Sequence, residues 1–447
     1  MHADGALVEA AGEVLAAAPL GAHSRICCAL SGGVDSLVLF EVLRRLQPRF
    51  GYRLAAAHVD HGLSPHAGDW ADACARRCAA AGIPLQVFRV GVDRDHPHGL
   101  EAAARSARYG ALERVACDWL VFGHHLDDQA ETLLFRLLRG TGVRGAAAMR
   151  PVVVAAAGAP GRLRPLLAVR REQILDWARR NALDWVEDES NDETRFTRNA
   201  IRHRLVPVAE ALFPAAVPVL ARAADHFAEA DALLGELAAG DVAACGGEPL
   251  DRARLRALSP ARQANLLRWL LQQRGAPTPS RARLDDVLQQ LRDCPPAQAL
   301  RLSLGAWVCC AYRDALWLEP AIAAVPERCV WQGEAVLPWG ADEVCFVGVT
   351  GEGVSRVRLA RAAAVYLAPR VAGMRLRLSP ARPRREFRKL CQEAAIPEWV
   401  RDRLPVLWVD AEPAWVGGIG VAAEFACAPG EAGVLPCWRP AGGSSPG

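Results

Sequence analysis

Short apolar runs alternate with longer stretches of helical period over the first 200 residues. The run at 25–30 (RICCAL) is apolar and leads into glycines, the pattern of a buried strand entering a turn. Apolar residues at Leu37, Leu39, Phe40, Leu43 and Leu46 have the period of a helix packed on a sheet, which predicts a helix over 36–46. The same reading predicts strands at 53–59, 84–90 and 119–122. It predicts helices at 69–81, 101–114 and 127–139, the last stopped by Gly140 and Gly142. Strands separated by helices imply an open parallel sheet with right-handed crossovers, so the expected class is α/β, with this domain over 1–210.

Beyond it, alanine and leucine at helical spacing predict one connecting helix over 206–239. Two more helices are expected at 260–273 and 281–291, separated by GAPTPS, and then a hairpin over 299–318 turning at Arg313-Asp314. These make a mostly helical middle domain over 211–320. The Pro- and Gly-rich stretch 321–365 has little periodicity and reads as a junction. Residues 366–440 read as a small α+β domain with strands at 374–378, 406–409 and 414–419 and a helix at 384–395. The chain is expected to be loose after Gly430, with a disordered tail at 441–447.

At 447 residues the chain is too long for one ordinary domain. The charge balance, 53 Lys+Arg against 50 Asp+Glu, neither requires nor excludes a nucleic acid. Its composition is more telling: the one lysine is Lys389, and every other basic side chain is arginine or histidine. That excludes a Walker-type phosphate lysine and any Schiff-base lysine in the first half. No apolar run approaches the ~20 residues of a membrane span, and Asp4, Glu9 and Glu13 stand where a secretory leader would be basic. A cytoplasmic protein without membrane contact is expected. The 14 cysteines include no C-x-x-C, so buried thiols are favoured over metal or dithiol chemistry.

Between the first expected strand and helix lies Ser31-Gly32-Gly33-Val34-Asp35-Ser36. Two glycines let backbone N–H groups approach phosphate oxygens, Ser31 and Ser36 offer hydroxyls, and the helix N-terminus favours negative charge. Asp35 would be repelled by bare phosphate, so its natural role is to hold Mg²⁺ that bridges the phosphates. A glycine turn with Ser36 as a helix cap is the bland alternative. The strand–loop–helix context and the Asp-Ser ending favour a nucleotide.

Three other stretches carry chemistry. His58-Val59-Asp60-His61-Gly62-Leu63 ends the second strand, where open α/β sheets bind ligands. His124-His125-Leu126-Asp127-Asp128-Gln129-Ala130-Glu131 follows the fourth strand. There Asp128 and Glu131, three apart, share a helix face and could bind a metal or a cationic substrate. Residues 195–204 hold four arginines and no acid, suited to phosphates of a nucleotide or RNA if they are not simply a solvated face.

The SGGVDS loop resembles that of the ATP-pyrophosphatase family, which cleaves ATP between the α and β phosphates. Together with HVDHGL, HHLDDQAET, RPLL at 164–167, WVEDESN and RNAIRH, the chain resembles the tRNA(Ile)-lysidine synthetase family. The likeness runs over 24–210 and returns in RREFRKLCQEAAIPEWVRDRLPVLW. It implies a ligase that uses ATP and free L-lysine to modify the wobble cytidine of an isoleucine tRNA with a CAU anticodon. Ser31, Gly32, Gly33, Val34, Asp35 and Ser36 would hold the pyrophosphate and Mg²⁺. Asp128 and Glu131 would anchor the lysine, with Asp127 as a helper. His124 or His125 would handle a proton, and Arg105 or Arg108 would meet the α-phosphate. Arg198, Asn199 and Arg202 are assigned to closure over the nucleotide or to RNA backbone. Arg384, Arg385, Arg388 and Lys389, in a stretch 375–389 of net charge +6, are assigned to tRNA phosphates. A homodimer is left open. The runner-up is a tRNA thiolase of the same superfamily, which would need reactive or cluster-binding cysteines.

Overall fold

β1 (Arg25–Ala29) forms where the apolar run predicts it, with Ile26, Cys27 and Cys28 buried on both faces. In the computed structural model, which describes residues 3–93, 95, 99–155, 159–187, 197–295, 298–321 and 327–440, β1 belongs to a six-stranded sheet. Its companions are β2 (Arg53–Asp60), β3 (Leu85–Arg89), β4 (Trp119–Val121), β5 (Val152–Val153) and β6 (Gly161–Leu163), in the spatial order β3-β2-β1-β4-β6-β5. Every neighbouring pair is parallel except β5 with β6. Helices cover both faces. α1 (Ala3–Ala17), α2 (Val34–Phe50) and α7 (Arg171–Arg180) bury Leu15, Phe40, Leu43 and Trp177 against one face. α4 (Leu100–Leu112), among the other helices α3 (Ala67–Ala80), α5 (Leu126–Leu137) and α6 (Val143–Ala146), places Leu112 against Cys27, Leu120 and Phe122 on the other.

The strand order positions the site. From β1 the chain builds outward through β2 and β3, then returns to lay β4 on the opposite side of β1. The loops after β1 and β4 therefore diverge, and open α/β sheets bind ligands in the crevice such loops leave.

The expected helix over 206–239 is two helices, α9 (Val206–Leu212) and α10 (Ala216–Ala244), following α8 (Thr197–Ala200) and a π-helical turn at Ile201–Leu205. The bend is 100°. Its cause is local: Phe213 precedes Pro214 and is extended (φ −132°, ψ 92°), as the residue before a proline prefers. The first half of α10 belongs with the sheet domain, packing Leu220, Ala224 and Phe227 around Leu133 and Ala146. No single described helix is long and apolar enough to cross a membrane.

The chain divides into two units, Met1–Leu233 and Leu234–Gly447. In the second, α11 (Arg252–Ala257), α12 (Pro260–Gln273) and α13 (Arg281–Asp293) cover a small sheet. The expected hairpin is a meander, β8 (Leu300–Leu304), β9 (Trp307–Tyr312) and β10 (Ala315–Pro320), with β7 (Leu250–Asp251) added at the β10 edge. Gly305, with φ +76°, supplies the earlier turn that the periodicity hid.

Residues 321–365, read as a junction, hold β11 (Cys329–Val330), β12 (Val336–Trp339), β13 (Asp342–Thr350), β14 (Val354–Ser355), α14 (Arg356–Arg361) and the start of β15 (Val365–Ala368). The glycines there mark tight turns between short strands: Gly340 lies between β12 and β13, and Gly351 and Gly353 between β13 and β14, all at positive φ. The stretch after Gly430 is likewise ordered. β16 (Arg375–Leu376), β17 (Arg385–Glu386), α15 (Phe387–Glu393), α16 (Glu398–Arg401), β18 (Val406–Val409), β19 (Glu412–Val416) and β20 (Gly420–Val421) precede β21 (Ala432–Arg439), which pairs with β13 over its whole length, from Glu343↔Arg439 to Thr350↔Ala432. The helix expected at 384–395 begins later, at Phe387, because Arg385 and Glu386 pair with β16. The tail at 441–447 lies outside the described residues.

Candidate active site

The loop after β1 is braced from within. Gly32 takes φ +91°, a conformation open to glycine at little cost. The buried Ser36 hydroxyl donates to the Gly33 carbonyl at 2.9 Å and accepts from the Ser31 N–H at 3.1 Å, and the two hydroxyls lie 3.1 Å apart. The serines thus fix the loop before any ligand arrives. Gly33 at the head of α2 has no side chain to cap it, which leaves first-turn N–H groups for an anion. Two neighbours hold the loop from outside: the Val186 N–H donates to the Gly32 carbonyl at 3.1 Å, and His58 Nδ1 donates to the Leu30 carbonyl at 2.9 Å. His58 is buried, which depresses its pKa and keeps it neutral. The rest of HVDHGL is a turn, in which Asp60 Oδ1 accepts from the Gly62 N–H at 2.8 Å.

The loop after β4 packs directly on this one. A Cβ on Gly123 would stand 2.9 Å from the Asp35 carbonyl oxygen, so glycine is what lets the two loops touch. The contact brings the motif acids to Asp35. His125, 1% exposed, lies between them: its Nε2 is 3.8 Å from Asp35 Oδ2 and 3.5 Å from Asp128 Oδ2, and its Nδ1 is 3.6 Å from Asp127 Oδ2. Burial alone would lower the His125 pKa, but Asp128, Asp127 and Asp35 outweigh it and raise it. Burial would likewise raise Asp128, yet His125, Arg198, His124 and Arg202 hold its carboxyl well below the usual range. Asp35 is shifted up, chiefly by burial. The adjacent His124 behaves oppositely to His125: burial and the positive fields of Arg164, Arg198 and Arg108 push it down to about 3. The two neighbouring histidines are thus shifted in opposite directions, His124 toward the neutral form and His125 toward the protonated one.

Asp127 is occupied structurally. Its carboxylate accepts from the Arg171 N–H at 2.8 Å, capping α7, and from Arg170 Nε at 3.2 Å. Burial would raise its pKa, but bonds from His125 and the Arg171 backbone bring it below the ordinary value.

Asp128 and Glu131 do share one face of α5, both buried, and that face meets the segment 197–205. Arg202 Nε is 2.6 Å from Glu131 Oε1, and its Nη2 is 3.0 Å from Asp128 Oδ1 and 3.1 Å from Glu131 Oε2. Arg198 Nη2 lies 3.0 Å from Asp128 Oδ1, and its Nε 3.3 Å from Glu131 Oε2. Asn199 lies between them in α8. Arg195 and the acids of WVEDESN from Asp188 onward lie outside the described residues.

Arg105 and Arg108 separate. Arg105 is exposed and leans on Tyr109, its Nη2 3.4 Å from the hydroxyl. Arg108 has a buried Nε with no hydrogen-bond partner and forms no ion pair among the described residues. Burial lowers its pKa. The Nε of Arg164 and of Arg171, His124 Nδ1 and Asp35 Oδ1 are also buried without partners among the described residues. Apart from Asp35 these are nitrogens of cationic or basic side chains, the chemistry that suits an anion. Arg108 is one of the two arginines that the resemblance leaves open for the α-phosphate, whereas Arg164 and Gly123 are given no role by it although both lie within or beside the motifs. Among the described residues no three His, Cys, Asp or Glu side chains group as a metal cage, so a cation at Asp35 would need oxygens from a ligand. The 14 cysteines are free thiols; burial pushes Cys74 up to about 12 and Cys78 up to about 11.

In the second unit, Arg384 pairs with Glu412 and Glu424, Arg377 with Glu424, and Arg385 with Glu393. Three glutamates from outside 375–389 thus fold onto the +6 stretch and halve its excess. Arg388 and Lys389 are exposed and have no ion-pair partner among the described residues. Arg375, Arg384, Arg385, Glu386, Lys389, Gln392 and Glu393 line a cleft of about 470 Å³.

A glycine-serine phosphate loop at the switch point of a parallel sheet, with a buried acid–histidine group beside it, defines an enzyme of the PP-loop ATP-binding class; residues 8–209 match the family model described as a PP-loop domain. Residues 250–317 match the TilS substrate binding domain, and 365–438 the TilS substrate C-terminal domain. The chain is 56% identical over 427 residues to the tRNA(Ile)-lysidine synthase of Aromatoleum aromaticum, covering 95% of this chain and 100% of that one. It is 54% identical to that of Azoarcus sp. strain BH72 (98% of each) and 37% identical to that of Nitrosomonas europaea (93% and 92%). The chain belongs to the tRNA(Ile)-lysidine synthase family, and is accordingly an ATP-using ligase of tRNA lysidine formation.

Proposed function

We propose that the chain ligates L-lysine to C2 of the wobble cytidine of the CAU-anticodon isoleucine tRNA in the cytoplasm, through an adenylated cytidine, releasing pyrophosphate and then AMP. The observation that carries this reading is the joining of the phosphate loop to the Asp128–Glu131 pair through His125, within 3.8 Å of Asp35 and 3.5 Å of Asp128. ATP and an ammonium-bearing substrate then meet in one crevice.

The loop 31–36 holds the departing pyrophosphate by its N–H groups. Asp35, with its buried Oδ1 unpartnered among the described residues, fits Mg²⁺, which when bound neutralises phosphate charge. Cytosine O2 attacks the α-phosphorus and pyrophosphate leaves. Arg108 is favoured over Arg105 for the α-phosphate, because a guanidinium with a buried Nε and no ion-pair partner among the described residues gains most from an anion. Asp128 and Glu131 hold the lysine. Its ε-amine must lose a proton from an ordinary pKa of about 10.4 before it attacks C2 and expels AMP with the former O2. His124, kept neutral and pushed down to about 3, is too weak a base to hold that proton and can serve only to orient the amine through a hydrogen bond.

The test is incubation with ATP, labelled lysine and unmodified CAU-anticodon isoleucine tRNA. ATP-dependent label in that tRNA supports the reading. Equal labelling of methionine tRNA, or sulfur transfer without lysine, overturns it.

A further inference from the structure

Every oxygen of the proposed lysine-binding acids is already occupied. Glu131 Oε1 receives Arg202 Nε, and Oε2 receives Arg202 Nη2 and Arg198 Nε. Asp128 Oδ1 receives both Nη2 groups, and Oδ2 receives the His125 N–H at 3.1 Å with His125 Nε2 at 3.5 Å. Two carboxylates thus face two guanidiniums, with the His125 imidazole packed against Asp128. An incoming ammonium would find most of the lone pairs of Asp128 and Glu131 taken and the charge of both acids offset by the two guanidiniums.

Both arginines sit on short, irregular helical turns. Arg198 lies in the four-residue α8 and Arg202 in the π-helical turn 201–205. Such turns are rare, less well bonded than α-helix, and concentrate at functional sites. The phosphate loop lies close by: Asp35 is among the acids whose field raises the Arg202 pKa, after Glu131 and Asp128 and against the lowering effect of burial. A bound triphosphate would place several negative charges within reach of guanidinium forks suited to them.

We propose that Arg198 and Arg202 make lysine binding conditional on the nucleotide. Without ATP they neutralise Asp128 and Glu131 and close the cation site. With ATP they move to the phosphates and release both carboxylates to the lysine ammonium. Binding is therefore ordered, nucleotide before amino acid, and lysine is not held beside a site that lacks the means to activate the cytidine. This rests on the lysine-binding role proposed above for Asp128 and Glu131.

The test is equilibrium dialysis of labelled lysine against the full chain, with and without α,β-methylene-ATP and Mg²⁺. The unaltered protein is expected to bind lysine at least about tenfold more tightly with the analogue, a coupling in the ordinary range. Arg202→Gln and Arg198→Gln should each raise lysine affinity without nucleotide and shrink the ratio to about twofold. A structural role for the arginines would weaken binding in both conditions without changing the ratio. Equal affinity with and without analogue in the unaltered protein overturns the gate, while ATP-dependent lysine incorporation run in parallel leaves the ligase reading standing. Absence of lysine binding in both conditions, together with no incorporation, overturns both.

Discussion

Two regions of this chain are rich in arginine, and the fold treats them oppositely. At 197–205 Arg198 and Arg202 reach inward onto buried Asp128 and Glu131 in one network of ion pairs. At 375–389 they remain at the surface, some loosely paired with exposed glutamates, others facing water. Charge that is counted alike in a sequence does different work according to the medium around it. A buried pair is costly to desolvate and is decisive when broken. An exposed pair contributes little to stability, and its residual field acts at long range on a polyanion.

The contrast can be broken at several points. The largest effect is expected from Asp35→Asn, which should lower AMP release by about 10³-fold, as loss of an electrostatic group in a reaction centre does, while tRNA binding in a filter assay stays within twofold. Loss of both would make the loop merely structural. Gly123→Ala comes next. Its Cβ would stand 2.9 Å from the Asp35 carbonyl, and forcing the two loops apart should reduce kcat by about 10²-fold. An unchanged kcat would mean that the contact does not set the geometry.

The neighbouring histidines predict opposite pH responses. His125 has a raised pKa, so its contribution to stability is fully present below about 6.5 and is lost as pH rises through the raised value. His124, pushed down to about 3, binds its proton more readily unfolded, so it costs stability as pH falls from about 6.5 toward 3. In thermal melts, His125→Asn should therefore be most damaging near pH 6, and His124→Gln should gain on the parent protein as pH falls to 5. Parallel responses would refute the assignment. The smallest effect concerns the outer patch. Replacing Arg388 and Lys389 with glutamine should weaken tRNA binding and reduce the slope of log K against log salt by roughly one to two. The same change at Arg384 and Arg385, which already have partners, should move the slope less. Equal slopes would erase the distinction between paired and unpaired cations.

Local features were legible in the sequence to the extent that their causes are local. Strand β1, its glycine loop and helix α2 appear where the apolar run, Gly32-Gly33 and the leucine spacing place them, and α12 matches its predicted limits. The acids of α5 were readable from their i, i+3 spacing. What escaped depends on partners far along the chain. Arg202 is 71 residues from Glu131, and nothing in either segment announces the other. β13 and β21 stand almost a hundred residues apart at Glu343 and Arg439, and each alone looks like irregular chain because the partner supplies the ladder. Glycines at 340, 351 and 353 were read as a linker when they are the corners of a sheet. Asp127 was expected to help hold the lysine, and only the fold shows that its carboxylate accepts from the Arg171 N–H at the head of α7.

The guanidinium-only surroundings of the crevice have a chemical consequence of their own. The activated cytidine of the proposed reaction is an electrophile that any unprotonated primary amine could attack. Met1–Leu233 contains no lysine, and the arginines there stay protonated and are poor nucleophiles. No side-chain amine of that unit can compete with the substrate, so the unit is protected from modifying itself with its own reagent.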